Sequence, residues 1–343
     1  MERKQSRVGI REVAAAAGVS VTTVSHALSG SRSVKAATRE RIMAEVARLD
    51  YRPDPHARGL RGQRSQLIGL LGDDIVTTPH TSRMVLGAQT AAAEHGCIVV
   101  ALDPGGDEVV REQQVRYLLD HRVDGVLYAG MYHRELTIPG SLANVPTILL
   151  DAHGTDPKQS SVVPDERQIA SVAVEHLLEH GHRRIAFVSA SQTNDATAVP
   201  LREKGFREAL RHARVELPRG WVARANADAQ GGRTVAHRLL SAPERPTALF
   251  CFNDQMAMGA YQAAAALGLS VPGDVSIVGV NNLAIVAGAL VPGLTTVGLP
   301  HHRMGRWAVE RLLRSLDEPD LVPEHLAMPG ELVVRDSVAA PRD

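Results

Sequence analysis

From residue 66 to the C-terminus, short apolar runs alternate with longer stretches in which apolar residues return every three or four positions. LIGLLGDD (67–74), CIVVALD (97–103), VDGVLYAG (123–130), VPTILLD (145–151), RRIAFVSA (183–190), TALFCFND (247–254) and VSIVGVNN (275–282) have the length and continuous hydrophobicity of buried strands. The segments 84–96, 109–122, 168–182, 201–213 and 255–268 between them have helical spacing. Such alternation predicts parallel sheets built from right-handed βαβ units. The strands are too many for one sheet, so two doubly wound lobes are expected, closed by a last strand at ELVVRDS (331–337).

The first fifty residues follow a different rule and predict a small all-α head. Ile10, Val13, Ala14 and Ala17 share one helical face, and Gly18 follows where a left-handed residue would end the helix. Ser20 sits where a hydroxyl can cap a second helix, 21–28. On it Val24, Ala27 and Leu28 point inward, leaving Val21, Thr22, Ser25 and His26 outward. Two short helices meeting at a Gly turn, the second opening on small polar residues, is how a helix-turn-helix presents a reader to the major groove. A third helix is expected over 36–50, with Ile42, Val46 and Leu49 buried; Lys35 at its start offers no hydroxyl, so that start either frays or is capped by Ser33.

Composition sharpens this picture. Only 3% of the 343 residues are aromatic while 44% are hydrophobic, so the core must be mostly aliphatic. Cys97 and Cys251 lie in apolar surroundings and read as buried strand thiols, without a disulfide framework. The polar start MERKQSRVG leads into no apolar segment, and no run approaches the ~18 apolar residues of a spanning helix, so a cytoplasmic chain with no membrane partner is expected. The net charge of zero hides a polarised molecule. Residues 1–64 hold 13 Lys/Arg against 6 Asp/Glu, and the rest hold 25 against 32, which is +7 followed by −7. A basic head of this kind favours phosphate contacts.

The run from Val8 to Leu60, through AGVS, TVS, TRERI, Tyr51-Arg52-Pro53 and the closing Ala57-Arg58-Gly59-Leu60, resembles the head of LacI-family transcriptional regulators. The resemblance extends over essentially the whole chain. It implies a helix-turn-helix domain over 1–50, a hinge over 51–64, and an effector-binding and dimerisation body over 65–343 with the architecture of type I periplasmic binding proteins. The three lobe crossings fall near 164, 292 and 323 on this reading. That gives an N-lobe of 65–164 and 293–323 and a C-lobe of 165–292 and 324–343. The implied partners are a pseudo-palindromic double-stranded operator, a second copy of the chain (a dimer, or a tetramer of two dimers) and a small effector. A sugar or sugar-like metabolite is the first expectation for that effector and a nucleobase the alternative; no cofactor is implied. The implied DNA contacts are Ser20, Val21, Thr22, Thr23, Ser25 and His26 in the head, and Ala57, Arg58, Leu60 and Arg61 in the hinge. Asp54-Pro55 gives that hinge a strong local helix start, and Leu60 is its minor-groove wedge. Arg is the commoner family residue at the position of His26, so base preference should differ here.

In doubly wound sheets, ligands bind beyond the carboxyl ends of the strands. The candidates there are Asp74, His80, Thr81, Asp151, Asn253 and Asn281, with Arg202 as the resemblance implies, its planar fork suited to hydroxyls or carboxylates. Asp254 reads as a helix cap. His80 and Thr81 stand where family members often have aromatics, and Asn281 where many sugar-responsive ones have Asp. Two other classes fit the sequence less well than a regulator. A transport solute receptor would lack the basic head and need an export signal, and an enzyme would need a nucleophile or phosphate motif, of which none is visible. His176-x-x-Glu179-His180 has the spacing of an inverted zinc-peptidase motif but ends a helix at Gly181. His301-His302 reads as a solvated loop pair with no third ligand. No metal site is expected.

Overall fold

The computed structural model describes residues 8–29, 32–51, 64–72, 78, 81–191 and 196–342. The chain divides into two units, Met1–Ser65 and Gln66–Asp343. The first contains α1 (Ile10–Ala17), α2 (Val21–Ser29) and α3 (Ala36–Arg48). Gly18 takes φ 62° and ψ 38° and returns its N–H to the carbonyls of Ala14 and Ala15, which ends α1 and turns the chain into α2. Val13, Ala14, Ala17, Val24, Ala27 and Ile42 form the core, with Val46 and Leu49 half-buried against it. No side chain caps α3 at Lys35, as the missing hydroxyl predicts.

The second unit has two six-stranded sheets, so the α/β reading of two doubly wound lobes holds. The first sheet has strand order β11-β5-β4-β3-β1-β2, all parallel. Its strands are β1 (Leu67–Gly72), β2 (Ile98–Leu102), β3 (Gly125–Glu135), β4 (Thr147–His153), β5 (Ser161–Pro164) and β11 (His325–Met328). The second has order β12-β10-β9-β8-β6-β7, from β6 (Ile185–Ala190), β7 (Val222–Ala225), β8 (Ala248–Cys251), β9 (Ser276–Asn281), β10 (Thr295–Gly298) and β12 (Glu331–Val333). Only the β10–β12 pair is antiparallel. Helices α4 (Ser82–Glu94), α5 (Glu108–Asp120) and α11 (His301–Asp317) belong to the first lobe; α6 (Glu166–Glu179), α7 (Ala198–His212), α8 (Ala229–Leu240), α9 (Asp254–Ala266) and the short α10 (Ala284–Ala287) belong to the second.

The chain passes to the second sheet after Pro164, returns after Gly298 and crosses again after Met328. Crossings near 292 and 323 therefore fall one strand early. β10 (TTVG) and β11 (HLAM) are four-residue strands with polar members, too short to leave a hydrophobic signature. Cys251 is buried in β8, whereas Cys97 precedes β2 and is half-buried, a correction to the expected strand thiol.

With so few aromatics, the helices close the core by backbone contact. α4 and α11 meet through reciprocal glycines: a Cβ on Gly87 would stand 2.1 Å from the His302 carbonyl oxygen, and one on Gly305 2.1 Å from that of Met84. The C-terminal segment completes the second lobe. Ser337 Oγ donates to the Ile277 carbonyl (2.6 Å) and accepts from Thr295 N (2.8 Å), and a ring nitrogen of His182 lies 2.9 Å from the Ala339 carbonyl.

Candidate functional site

In the first unit, Ser20 caps α2: Thr23 N donates to Ser20 Oγ at 3.1 Å, and the two hydroxyls lie 2.8 Å apart. The cap fixes the start of the helix, so Val21 (39% exposed) and Thr22 stand in solvent there, with Thr23 and His26 half-exposed. Ser25 departs from the expected outward face, being only 8% exposed. Packed between α1 and α3, α2 buries an arc wider than its apolar stripe, and Ser25 falls within that arc. The hinge candidates Ala57, Arg58, Leu60 and Arg61, and the effector candidates Asp74 and His80, lie outside the described residues.

In the second unit, the facing ends of the lobes enclose a cavity of about 20 Å³, lined by Thr81, Asp151, Glu166, Arg202 and Asn281 together with Tyr132, Met131, Leu299 and His301. Four of the expected effector residues thus meet. The cavity owes its shape to an irregularity between β3 and β4. β3 advances five residues, from Ala129 to Arg134, while β4 advances two, from Leu150 to Ala152. The surplus carries Tyr132 and His133 into left-handed backbone (φ 62° and 50°), and Asp151 opposite them has φ 51°. Asn281 and Asn282, where β9 ends, add φ 115° and 52°. Such conformations cost non-glycine residues of order 1–3 kcal/mol each and collect at sites of function.

Charge in the cavity is unevenly partnered. Arg202 is 2% exposed; its Nε donates to Glu166 Oε2 at 2.5 Å and its Nη1 to the Phe252 carbonyl at 2.5 Å. The guanidinium carbon lies 4.4 Å from the centroid of the Phe252 ring. Nε and one Nη1 hydrogen of the fork expected to hold a ligand are thus committed to the protein. Asp151 is 5% exposed; the His133 backbone N–H bonds its carboxylate, yet Oδ1 has no partner among the described residues. Burial, reinforced by Glu166, raises the Asp151 pKa well above the carboxylate range, and burial also raises that of Glu166. Burial pushes His133 down to about 4, so it is neutral at physiological pH.

Asn253 does not line the cavity. Its Oδ1 caps α9 through Met256 N (2.8 Å) and its Nδ2 donates to the Ala227 carbonyl (2.9 Å). The cap is therefore Asn253, not Asp254 as read from the sequence. Asp254 instead accepts from Thr296 Oγ1 and Leu283 N, both at 2.6 Å, tying α9 to β10 and to the loop after β9; burial raises its pKa to about 7. Sequence reasoning missed Glu166, which looks like an ordinary first-turn acid of α6, and Tyr132 and His133, since nothing in the strand pattern announces the irregularity. His301, expected in a solvated loop, opens α11 and is 7% exposed. Within His176-x-x-Glu179-His180 the two rings lie 4.4 Å apart, and His180 Nδ1 is 2.8 Å from the His176 carbonyl. No three His, Cys, Asp or Glu side chains among the described residues are placed to hold a metal ion. No described helix is long and apolar enough to cross a membrane.

Residues 9–54 match the profile of bacterial regulatory proteins of the lacI family, and residues 174–338 that of a periplasmic binding protein-like domain. The HTH-type transcriptional repressor PurR of Vibrio vulnificus is 31% identical over 331 residues, 96% of this chain and 98% of its own. The ribose operon repressor of Escherichia coli is 31% identical over 330 residues, 96% and 99% of the two chains. Among solved structures, the lac repressor dimer bound to operator and the anti-inducer ONPF superposes with a TM-score of 0.83 at 28% identity, covering 98% of this chain and all of that one. The transcriptional regulator CelR in complex with cellobiose gives 0.69 at 30% identity, covering 96% of this chain and all of that one.

Proposed function

The chain belongs to the LacI family of bacterial regulatory proteins, and on that premise we propose how its residues divide the work of an effector-controlled, sequence-specific DNA-binding repressor. The head reads the operator as half of a dimer. Ser20 pins the start of α2, whose unpaired backbone N–H groups attract phosphate. Val21 meets a thymine methyl, and Thr22, Thr23 and His26 face base edges. A His offers no bidentate grip on guanine, so each half-site differs from one read by Arg. Ser25 supports α2 from within rather than touching bases. The hinge residues Ala57, Arg58, Leu60 and Arg61 are assigned to the minor groove at the operator centre.

The cleft around Asp151, Arg202, Thr81 and Asn281 receives the effector, with Asp74 and His80 as further candidates. Asn253 acts behind it, by holding α9. Ligand-dependent closure of the lobes changes the dimer face and so the spacing of the two hinges. The unpaired edge of β2, with Ile98 64% exposed and Leu86 of α4 55% exposed, suits a second copy of the chain. We place the protein in the cytoplasm, where its DNA is.

The observation that carries this reading is the capped α2 with exposed Val21 and Thr22 at its start, in a segment of charge +7. An electrophoretic shift on palindromic fragments tests it. Wild type should give a salt-sensitive, sequence-preferring shift, and His26→Arg should change the preferred base within each half-site. An unaltered preference removes His26 from the readers, and no shift on any fragment defeats the assignment.

A further inference from the structure

We propose that Tyr132 is a plug built into the chain: its ring closes the cleft against the second lobe, and an effector enters only by expelling it. This rests on the reading of the cleft as the effector site. Tyr132 belongs to β3 of the first lobe, yet its side chain packs against the core of the second. Its ring centroid lies 6.0 Å from that of Phe252, with the planes tilted by 52°, within the range of favourable aromatic pairs. The surplus residues of β3 between Ala129 and Arg134 carry it there, in left-handed backbone (φ 62°) and followed by His133 at φ 50°.

Three observations mark the ring as a displaceable part and not a fixed piece of the core. With it in place the cavity measures only about 20 Å³, room for one water-sized group. A larger ligand must take the space that the ring fills. Parting the lobes lifts the same ring off Phe252, so either route of entry breaks this contact. Two successive left-handed residues without glycine are held only by their surroundings, and expulsion releases that cost. The ring is also half-buried, open to solvent on one side, whereas Phe252 beneath it is 1% exposed. The contact is placed to be felt where the chain changes lobe. The Phe252 carbonyl accepts from Arg202 Nη1, and Arg202 Nε donates to Glu166 at the start of α6, just after the crossing at Pro164. Burial raises the Tyr132 pKa, so the plug is uncharged.

The test uses the full-length protein and p-cresol, the tyrosine side chain as a free molecule. p-Cresol should raise the melting temperature of Tyr132→Ala and leave that of wild type unmoved. Amide hydrogen exchange in Tyr132→Ala should quicken on both lobes, at residues 150–153 and 281–283, and slow again with p-cresol. On the best-shifted palindromic fragment, the affinity of Tyr132→Ala should differ from wild type at least fivefold and return when p-cresol is added. Tyr132→Phe, which keeps the ring, and Leu127→Ala, which loosens the first-lobe core, should both bind that fragment as wild type does. Tyr132→Gly, whose backbone accepts φ 62° without strain, should respond as Tyr132→Ala does and replaces it if the Ala variant does not fold. Equal stabilisation of wild type, no response of either variant to p-cresol, faster exchange confined to β3, or an equal affinity change in Leu127→Ala overturns the proposal. If p-cresol restores protection on both lobes but no variant alters operator affinity, the closure stands and the effector reading of the cleft falls.

Discussion

The two lobes share a topology and differ in what fills them. All four phenylalanines lie in the second: Phe187, Phe206 and Phe250 stack within one continuous core, with centroid separations of 4.7 to 6.2 Å, and Phe252 supports the Arg202 guanidinium. The first lobe has no phenylalanine, and its sheet separates two smaller, mainly aliphatic clusters. The buried Glu166–Arg202 pair belongs to the second lobe, while Asp151, whose Oδ1 has no partner among the described residues, and the left-handed Tyr132 and His133 belong to the first. A stiff aromatic platform can hold a paired charge dry. A strained strand end can hold a buried acid with one oxygen unbonded.

The largest effect that would break this contrast comes from the platform. Phe250→Ala should cost about 4 kcal/mol, and Leu127→Ala in the first lobe about 3 kcal/mol, read from urea unfolding of each variant. Equal losses, or the reverse order, would remove the claim that the second core is the stiffer. Next comes the paired charge. Glu166→Gln strands a buried guanidinium and should cost about 3 kcal/mol. Glu94→Gln, which removes the exposed partner of Arg306 at 2.7 Å, should leave stability nearly unchanged. A Glu166→Gln protein as stable as wild type would mean the pair holds nothing in place. The smallest effect is in pH. Burial raises Asp254 from 3.8 to about 7, so across that window the native state keeps a proton that the unfolded chain has released. This group's contribution therefore falls as pH rises from 4 to 7. In Asp254→Asn that part of the slope should vanish, giving a flatter melting-temperature profile by a few degrees; an unchanged profile would place the titration on another group.

The α/β alternation was legible because most strands of both sheets are continuous apolar runs bounded by Asp, Asn or Gly. What escaped was amphipathic or short. α11 carries Arg303, Arg306, Arg311 and Arg314, an arginine at nearly every turn, and reads as a polar connection, yet it packs the length of α4. β7, β10 and β11 are four residues each. Of the cleft, Asp151 could be singled out as a polar residue closing a strand, and Arg202 through the family resemblance. Glu166 could not, since its partner is 36 residues away and nothing local distinguishes it from a helix-start acid. The exchange of cap and tie between Asn253 and Asp254 escaped as well, because adjacent side chains of similar shape give no hint of which turns back to its own helix.

The threefold crossing also fixes when each lobe can be finished. A growing polypeptide leaves the ribosome with its first sheet lacking β11 and the α11 cover until about residue 328. The second waits longer, for Ser337 and Ala339 to reach Thr295, Ile277 and His182. Neither half is a self-contained translation product, and removing the final handful of codons would leave the older, larger part of the second lobe unsealed.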